Sequence, residues 1–180
     1  MDFIEKDLED IIWETQQTEE GRKLLAQKGL VVKGKMFRQF YLGEYGTCDL
    51  ITVEFIDKYP YITIYELKKG IIDVGSLMQA CKYSTAVKSY IEYKYDCDCY
   101  IYIKLIGKSI QSNGDFVFLY NELMNNIDII TYSININGLM FNRESKVWKL
   151  TDEEKLFRTK IDISFGELRK ICSFTNGIPF

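Results

Sequence analysis

The chain has 180 residues, 47% of them hydrophobic and 27% charged, a balance that suits one globular domain with a sizeable core. Its formal net charge of −3 excludes a generic polycation for nucleic acid, so nucleic-acid binding would need a local basic patch or metal ions. Histidine is absent, which excludes Ser-His and Cys-His nucleophilic catalysis and histidine zinc sites.

Three features predict a cytoplasmic protein without membrane association. The first ten residues, MDFIEKDLED, are acidic rather than basic, unlike a secretory signal. No apolar run approaches the ~18 residues that a membrane span requires. The five cysteines are odd in number and lack zinc-ligand spacing, which argues against a complete disulfide framework.

The first part of the chain predicts a helix followed by three strands. Residues 3–28 carry apolar residues near helical spacing, and the polar stretch TQQTEEGRK leaves open a break into two pieces. Residues 30–42 predict a strand, followed by a loop at GEYGT. Residues 48–56 and 61–67 are rich in β-branched and aromatic residues, and the short connection between them favours antiparallel pairing.

A further helix and strand complete the predicted core. Asp73 is a good N-cap, and apolar residues recur at helical spacing from there to about residue 92. Residues 97–106 carry few charges and predict a central strand. The order α-β-β-β-α-β predicts an α/β fold with a mixed central sheet flanked by helices.

The remaining sequence predicts a helix, a hairpin and an appended element. FVFLYNELMNN is assigned as helical, and IDIITYSIN and LMFNRES form a hairpin with Asn137-Gly138 as its turn. We assign residues 1–146 to one domain. Residues 147–180 are weakly patterned and are expected to form a C-terminal element packed on the same domain.

The stretch YELKKG, residues 65–70, ends an apolar strand with two charges. Glu66 and Lys68 share one face because side chains alternate along a strand, whereas Leu67 points to the other face. In a hairpin with IDKY as its loop, Asp49 is the direct partner of Glu66, and two carboxylates that close repel unless a cation separates them. Mg²⁺ prefers such oxygen ligands. The alternative is an exposed ion pair worth ~0–1 kcal/mol.

Six positions follow one another in a recognisable order: Asp49, Glu66, Leu67, Lys68, Gln79 and Tyr83. In this order they resemble the PD-(D/E)XK nuclease superfamily and, more narrowly, the catalytic domain of NucS/EndoMS-type endonucleases. The resemblance covers residues 3–144 and includes RQFYLGEYGTCDLITVE and LMQACKY. It implies a restriction-endonuclease-like αβββαβ core. Cys48, rather than the proline of the superfamily's name, precedes Asp49.

The resemblance also implies a role for each matching residue at the metal. Asp49 and Glu66 would ligate Mg²⁺, or alternatively Mn²⁺, with the backbone carbonyl of Leu67 as a further ligand. Lys68 would position or activate the attacking water and stabilise charge on the phosphate. Glu5 matches the acid of the first helix, which would act on the metal through water.

The other matching residues concern the substrate. Gln79 and Tyr83 lie one turn apart on a predicted helix, where the resemblance implies that they hold the substrate backbone or orient the site. Glu9, one turn after Glu5, is the alternative acid of the first helix. Arg38 is a further candidate for a phosphate contact, with a solvated strand face as the alternative.

These inferences predict a Mg²⁺-dependent endonuclease that hydrolyses DNA phosphodiester bonds, because a metal held by carboxylates activates water without histidine. One alternative within the fold is a Holliday-junction-like or other structure-specific nuclease. Another is a catalytically degenerate nuclease-fold module that binds DNA or a protein partner. DNA is the expected partner, and paired cuts on two strands would favour a homodimer, whereas nicking would not require one.

Overall fold

The computed structural model describes residues 3–111, 114–123 and 126–144, which form a mixed α/β fold. The first elements are α1 (Glu5–Thr15), α2 (Glu19–Gln27), β1 (Lys35–Tyr41), a 3-10 turn (Gly43–Tyr45), β2 (Thr47–Ile56) and β3 (Tyr59–Leu67). The later elements are β4 (Ile71–Ile72), α3 (Val74–Tyr95), β5 (Tyr100–Gly107), β6 (Ser109–Ile110), α4 (Asp115–Leu123), β7 (Ile127–Asn135) and β8 (Gly138–Arg143).

Six strands form a mixed central sheet in the order β1-β2-β3-β5-β7-β8. Strands β1, β2 and β3 are antiparallel neighbours, β3, β5 and β7 are parallel, and β8 returns antiparallel to β7. Helix α3 makes the crossover that parallel pairing of β3 with β5 requires. The predicted mixed sheet flanked by helices is therefore confirmed. Strands β4 and β6 form a separate parallel pair.

The two faces of the central sheet carry different layers of the core. Leu50 and Leu67 belong to one buried cluster with Leu8 of α1, so this face packs on the N-terminal helices. Alternate residues of the same strands, including Ile51 and Ile62, face the side on which α3 lies. Among the described residues, no helix has both the length and the apolarity needed to cross a membrane.

The N-terminal segment forms two helices, in line with the break that the polar stretch left open. The Thr18 side chain begins α2 by accepting a hydrogen bond from the Gly21 N–H at 3.0 Å. A Cβ at Gly21 would lie 1.7 Å from the Thr15 carbonyl oxygen, so only glycine fits there. The predicted start of β1 at residue 30 is wrong, since Gly34 takes a positive φ of 75° and turns the chain before the strand begins.

The later elements lie near their predicted positions: β5 begins at Tyr100 rather than residue 97, α3 ends at Tyr95 rather than about residue 92, and the turn of the last hairpin is shifted. Its two-residue turn is Ile136-Asn137, because Asn135 pairs with Gly138, so the predicted Asn137-Gly138 turn is displaced by one residue. The Asn135 side chain accepts a hydrogen bond from the Asn137 N–H at 2.8 Å, which favours this turn. The predicted element at 147–180 lies outside the described residues.

The predicted N-cap at Asp73 is confirmed, because its Oδ1 accepts a hydrogen bond from the Ser76 N–H at 2.9 Å. We expect Asp73→Ala to lower the free energy of unfolding by about 1 kcal/mol at neutral pH. This N–H lowers the pKa of Asp73 below 3.8. The charged cap therefore contributes its full stabilisation above the unfolded-state pKa. This contribution is lost as the pH falls through the lower folded-state pKa.

Urea denaturation of Asp73→Ala and the wild type at pH 7 and pH 3 measures this effect. The difference in unfolding free energy should shrink at the lower pH. Asp73→Ser is the matched control, since serine caps a helix without a charge and should show little of this pH dependence. A difference of equal size at both pH values would contradict the assignment.

Candidate active site

The ladder between β2 and β3 ends at the predicted site. Their ladder keeps the predicted register up to the pair Leu50–Tyr65 and records no pair beyond it. The predicted direct pairing of Asp49 with Glu66 is therefore not part of the ladder. Instead, the Leu67 N–H donates to Oδ2 of Asp49 at 2.9 Å, so a carboxylate replaces the next ladder bond. The Asp49 side chain is thereby held against the end of β3.

Glu66 and Lys68 form a hydrogen-bonded ion pair at this strand end. The Lys68 ammonium donates to Oε1 of Glu66 at 2.7 Å. Glu66 is only 1% exposed, and its second oxygen, Oε2, is buried without a hydrogen-bond partner in the described part of the chain. A buried oxygen without a partner is costly, and a bound cation would satisfy it.

Burial and neighbouring charges shift the ionisation of these groups. Burial, with a smaller contribution from the charge of Asp49, raises the pKa of Glu66 to about 7 despite the Lys68 hydrogen bond. Burial likewise raises the pKa of Asp49 to about 6, against the lowering effect of the Leu67 N–H. Burial lowers the pKa of Lys68, but the hydrogen bond and charge of Glu66 outweigh it and the net pKa is raised.

These shifts describe two carboxyl groups whose charged forms are poorly stabilised by the protein itself. Such groups gain most from a proton or a bound cation, whereas the amine keeps its proton. Within the described ranges, no group of three or more acidic or cysteine side chains is arranged to hold a metal ion. Asp49 and Glu66 form a smaller donor set. Its donors are all carboxylate oxygens, the ligand type that Mg²⁺ prefers.

The two acids of the first helix have different surroundings. Glu5 accepts a hydrogen bond from the Lys69 N–H at 3.1 Å, which brings its carboxylate to the residue after Lys68. Glu9 is buried, and both of its oxygens are used inside the fold, by the Arg38 and Gln39 side chains. Glu5 is therefore better placed than Glu9 for the predicted action through water.

Arg38, a predicted phosphate contact, is bonded to acidic side chains of α1. Its guanidinium donates to Glu9 and Asp10, and its side chain is 26% exposed. The Glu9 hydrogen bond raises the pKa of Arg38, so this group stays charged. The arrangement holds β1 against the first helix. It leaves the guanidinium fewer free donors for a phosphate than an unpaired arginine would have.

Gln79 and Tyr83 form one hydrogen-bonded unit on α3. The Gln79 amide donates to the Tyr83 hydroxyl at 2.7 Å, and that hydroxyl donates to the Thr47 carbonyl at 2.8 Å. Tyr83 is 3% exposed, whereas Gln79 is exposed at the helix surface. The tyrosine therefore joins α3 to the start of β2, two residues before Asp49, and the glutamine is the member of the pair that a substrate can reach.

This difference in burial predicts different effects of mutation. Tyr83→Phe should lower the free energy of unfolding by about 1 kcal/mol, because it leaves the Thr47 carbonyl without its donor. Gln79→Ala should change stability by less than about 0.5 kcal/mol, as exposed substitutions usually do. Thermal and urea denaturation measure both variants. A larger stability loss in Gln79→Ala than in Tyr83→Phe would contradict these positions.

Tyr132 is a further neighbour of the site, which the sequence pattern did not predict. Its buried hydroxyl donates to the Lys69 carbonyl at 2.7 Å, while the Lys69 N–H bonds to Glu5. The residue after Lys68 is thus held from two sides. No local signal marks this role, since Tyr132 reaches the site only through the parallel pairing of β5 with β7.

The structure thus brings together Asp49, Glu66, Lys68 and Glu5 at the end of β3, and it uses Glu9, Arg38 and Tyr83 to join neighbouring elements. Comparisons of the chain with protein-family models, with curated proteins and with solved structures find no match.

Proposed function

We propose that the chain is a Mg²⁺-dependent endonuclease that hydrolyses DNA phosphodiester bonds at Asp49, Glu66 and Lys68. The observation that carries the proposal is the Oε2 atom of Glu66, which is buried without a hydrogen-bond partner in the described residues. The charge of Asp49 contributes to the raised pKa of this carboxyl group. Lys68 donates a hydrogen bond to the other oxygen of the group, Oε1. This arrangement suits a cation that itself engages a phosphate.

Each side chain has a separate task in this proposal. Asp49, Glu66 and the Leu67 carbonyl would hold Mg²⁺, which when bound lowers the pKa of water and neutralises phosphate charge. Lys68 carries a proton and can orient the attacking water or stabilise the charge that develops on the phosphate. Glu5 would accept hydrogen bonds from metal-bound water.

The order of elements supports a restriction-endonuclease-like core. Helix α1 precedes the antiparallel β1-β2-β3 meander, and α3 then leads to β5, which runs parallel to β3. This is the αβββαβ order that the sequence resemblance implies. DNA is the proposed partner and the cytoplasm the proposed location, and a homodimer is required only if the enzyme cuts both strands together.

Two observations favour a second function, a degenerate nuclease-fold module that binds DNA or a protein. Glu66 already has a cationic partner in Lys68, and no third acidic side chain joins the donor set in the described part of the chain. In that case the ion pair would be structural. Metal binding distinguishes the two functions directly.

We expect calorimetry at pH 8 to detect Mg²⁺ or Mn²⁺ binding by the wild type at millimolar concentrations or below. Asp49→Asn should bind at least ~10-fold more weakly, because it removes an anionic ligand. Glu44→Gln is the matched control, since Glu44 is exposed and outside the site. If neither metal binds the wild type, the proposal fails and the binding-module function is favoured.

Cleavage assays should use single-stranded, nicked, branched and mismatched DNA with added Mg²⁺ or Mn²⁺. The proposal requires cleavage of at least one substrate by the wild type and loss of cleavage when a chelator removes the metal. Metal binding without any cleavage across this panel would contradict the enzymatic role. The preferred substrate also identifies which structure-specific class applies.

A further inference from the structure

Gln39 has an unusual backbone conformation within β1. Its φ of +48° lies in the left-handed region, which residues other than glycine rarely adopt. Asp57 and Asp96 are the other non-glycine residues at positive φ in the described part of the chain. They lie in the turn between β2 and β3 and at the C-cap of α3, where such values are common. Gln39 alone among them lies inside a strand.

The unusual residue lies opposite Asp49. The ladder between β1 and β2 pairs Arg38 with Leu50 and Phe40 with Cys48, but it records no pair between the intervening Gln39 and Asp49. In a regular ladder, directly opposed side chains project to the same face with Cβ atoms ~4.5–5.5 Å apart. An ordinary strand conformation would therefore place the Gln39 side chain beside the Asp49 carboxylate.

The left-handed conformation sends the Gln39 side chain elsewhere. Its amide donates to Oε2 of Glu9 at 2.8 Å, while the Arg38 guanidinium donates to Oε1 of the same carboxylate. Consecutive strand residues normally point to opposite faces. Here two consecutive residues bond to one buried side chain of α1, which the change in backbone conformation at Gln39 allows.

An open pocket lies where the ladder is interrupted. It has a volume of about 600 Å³ and is lined by Glu5, Lys6, Glu9, Arg38, Gln39 and Asp49. Asp49 therefore borders accessible space that it shares with the first helix. Because Gln39 is held on Glu9, its amide does not donate to Asp49.

We infer that Gln39 is a positioning residue, whose left-handed conformation, held by Glu9, keeps the Asp49 carboxylate clear for a divalent metal ion and the substrate phosphate. This inference rests on the proposed function, because it assigns the cleared space to that metal and substrate. A purely structural link between α1 and β1 would affect stability but would leave the metal requirement of the reaction unchanged.

Two substitutions separate the backbone conformation from the side-chain hydrogen bond. Gln39→Gly and Gln39→Val both remove the amide, but glycine adopts positive φ freely and valine strongly disfavours it. The readouts are the Kd for Mg²⁺, measured by calorimetry without DNA, and the Mg²⁺ concentration that gives half-maximal DNA cleavage. Gln39→Gly should stay within ~3-fold of the wild type, whereas Gln39→Val should need at least ~10-fold more Mg²⁺, an effect typical of residues that support metal ligands.

Melting curves establish that each variant is folded, and Gln39→Ala replaces the valine variant if that one does not fold. Alanine also lacks the amide and disfavours positive φ, so it gives the same comparison with glycine. A wild-type metal requirement in Gln39→Val or Gln39→Ala would overturn the inference. An equal change in the glycine and valine variants would overturn it too, since the amide would then be responsible.

These failures are distinct from failure of the proposed function. If the wild type binds no divalent metal and cleaves no DNA, the function itself is wrong and the inference falls with it. If the wild type cleaves DNA and the Gln39 variants have the same metal requirement as the wild type, the proposed function stands and only the inference is wrong.

Discussion

Replacing Glu66 by glutamine is expected to lower DNA cleavage by at least ~100-fold, because the variant loses an anionic metal ligand. The fold should remain, since glutamine has nearly the same shape and its amide oxygen can still accept the hydrogen bond from Lys68. Single-turnover cleavage with saturating Mg²⁺ measures the loss. A melting curve shows whether the structure is intact.

Lys68→Ala should also abolish cleavage, because it removes the cationic group beside the proposed metal. The change leaves Glu66 buried without its partner, a situation that is strongly destabilising for an ionised carboxylate. The pKa of Glu66 is already raised to about 7 with Lys68 present, so the carboxyl can take up a proton instead. Lys69→Ala is the matched control, because Lys69 is exposed and next in sequence. Equal cleavage with and without Lys68 would contradict the assignment.

The elements that the sequence predicted well are those whose signals are local. A short connection sets the register of β2 and β3, and the ladder keeps that register from the pair Ile56–Tyr59 to the pair Leu50–Tyr65. Helix α3 begins after its predicted cap at Asp73. By contrast, Leu30 and Val32 are apolar and suggested a strand, but both are buried before β1 begins. Apolarity predicts burial more directly than it predicts strand conformation.

The candidate site was predictable only in part. Alternation along a strand indicates that Glu66 and Lys68 share a face, and the structure joins them by a hydrogen bond. The end of the ladder between β2 and β3 depends on contacts between separate segments of the chain. One example is the hydrogen bond from the Leu67 N–H to the Asp49 carboxylate. The left-handed conformation of Gln39 could not be predicted, because residue type signals positive φ mainly for glycine and asparagine.

Leu67→Asp is expected to unfold the protein, although the residue before Leu67 is the acidic Glu66. Leu67 is fully buried in the cluster that joins the sheet to α1. Losing a buried leucine costs ~2–5 kcal/mol. Burying an unpaired carboxylate adds several kcal/mol more, so the sum approaches the ~5–15 kcal/mol of a whole domain.

Circular dichroism and urea denaturation of Leu67→Asp test this expectation against two controls. Leu67→Met keeps the volume and should cost less than about 1.5 kcal/mol. Phe55→Asp introduces the same charge into β2, at a side chain that is 69% exposed, and should leave the protein folded. A folded Leu67→Asp variant would show that Leu67 does not face the core. Alternation along β3 would then no longer assign Glu66 to the face of the sheet that points away from α1. The proposed site would lose its geometric basis.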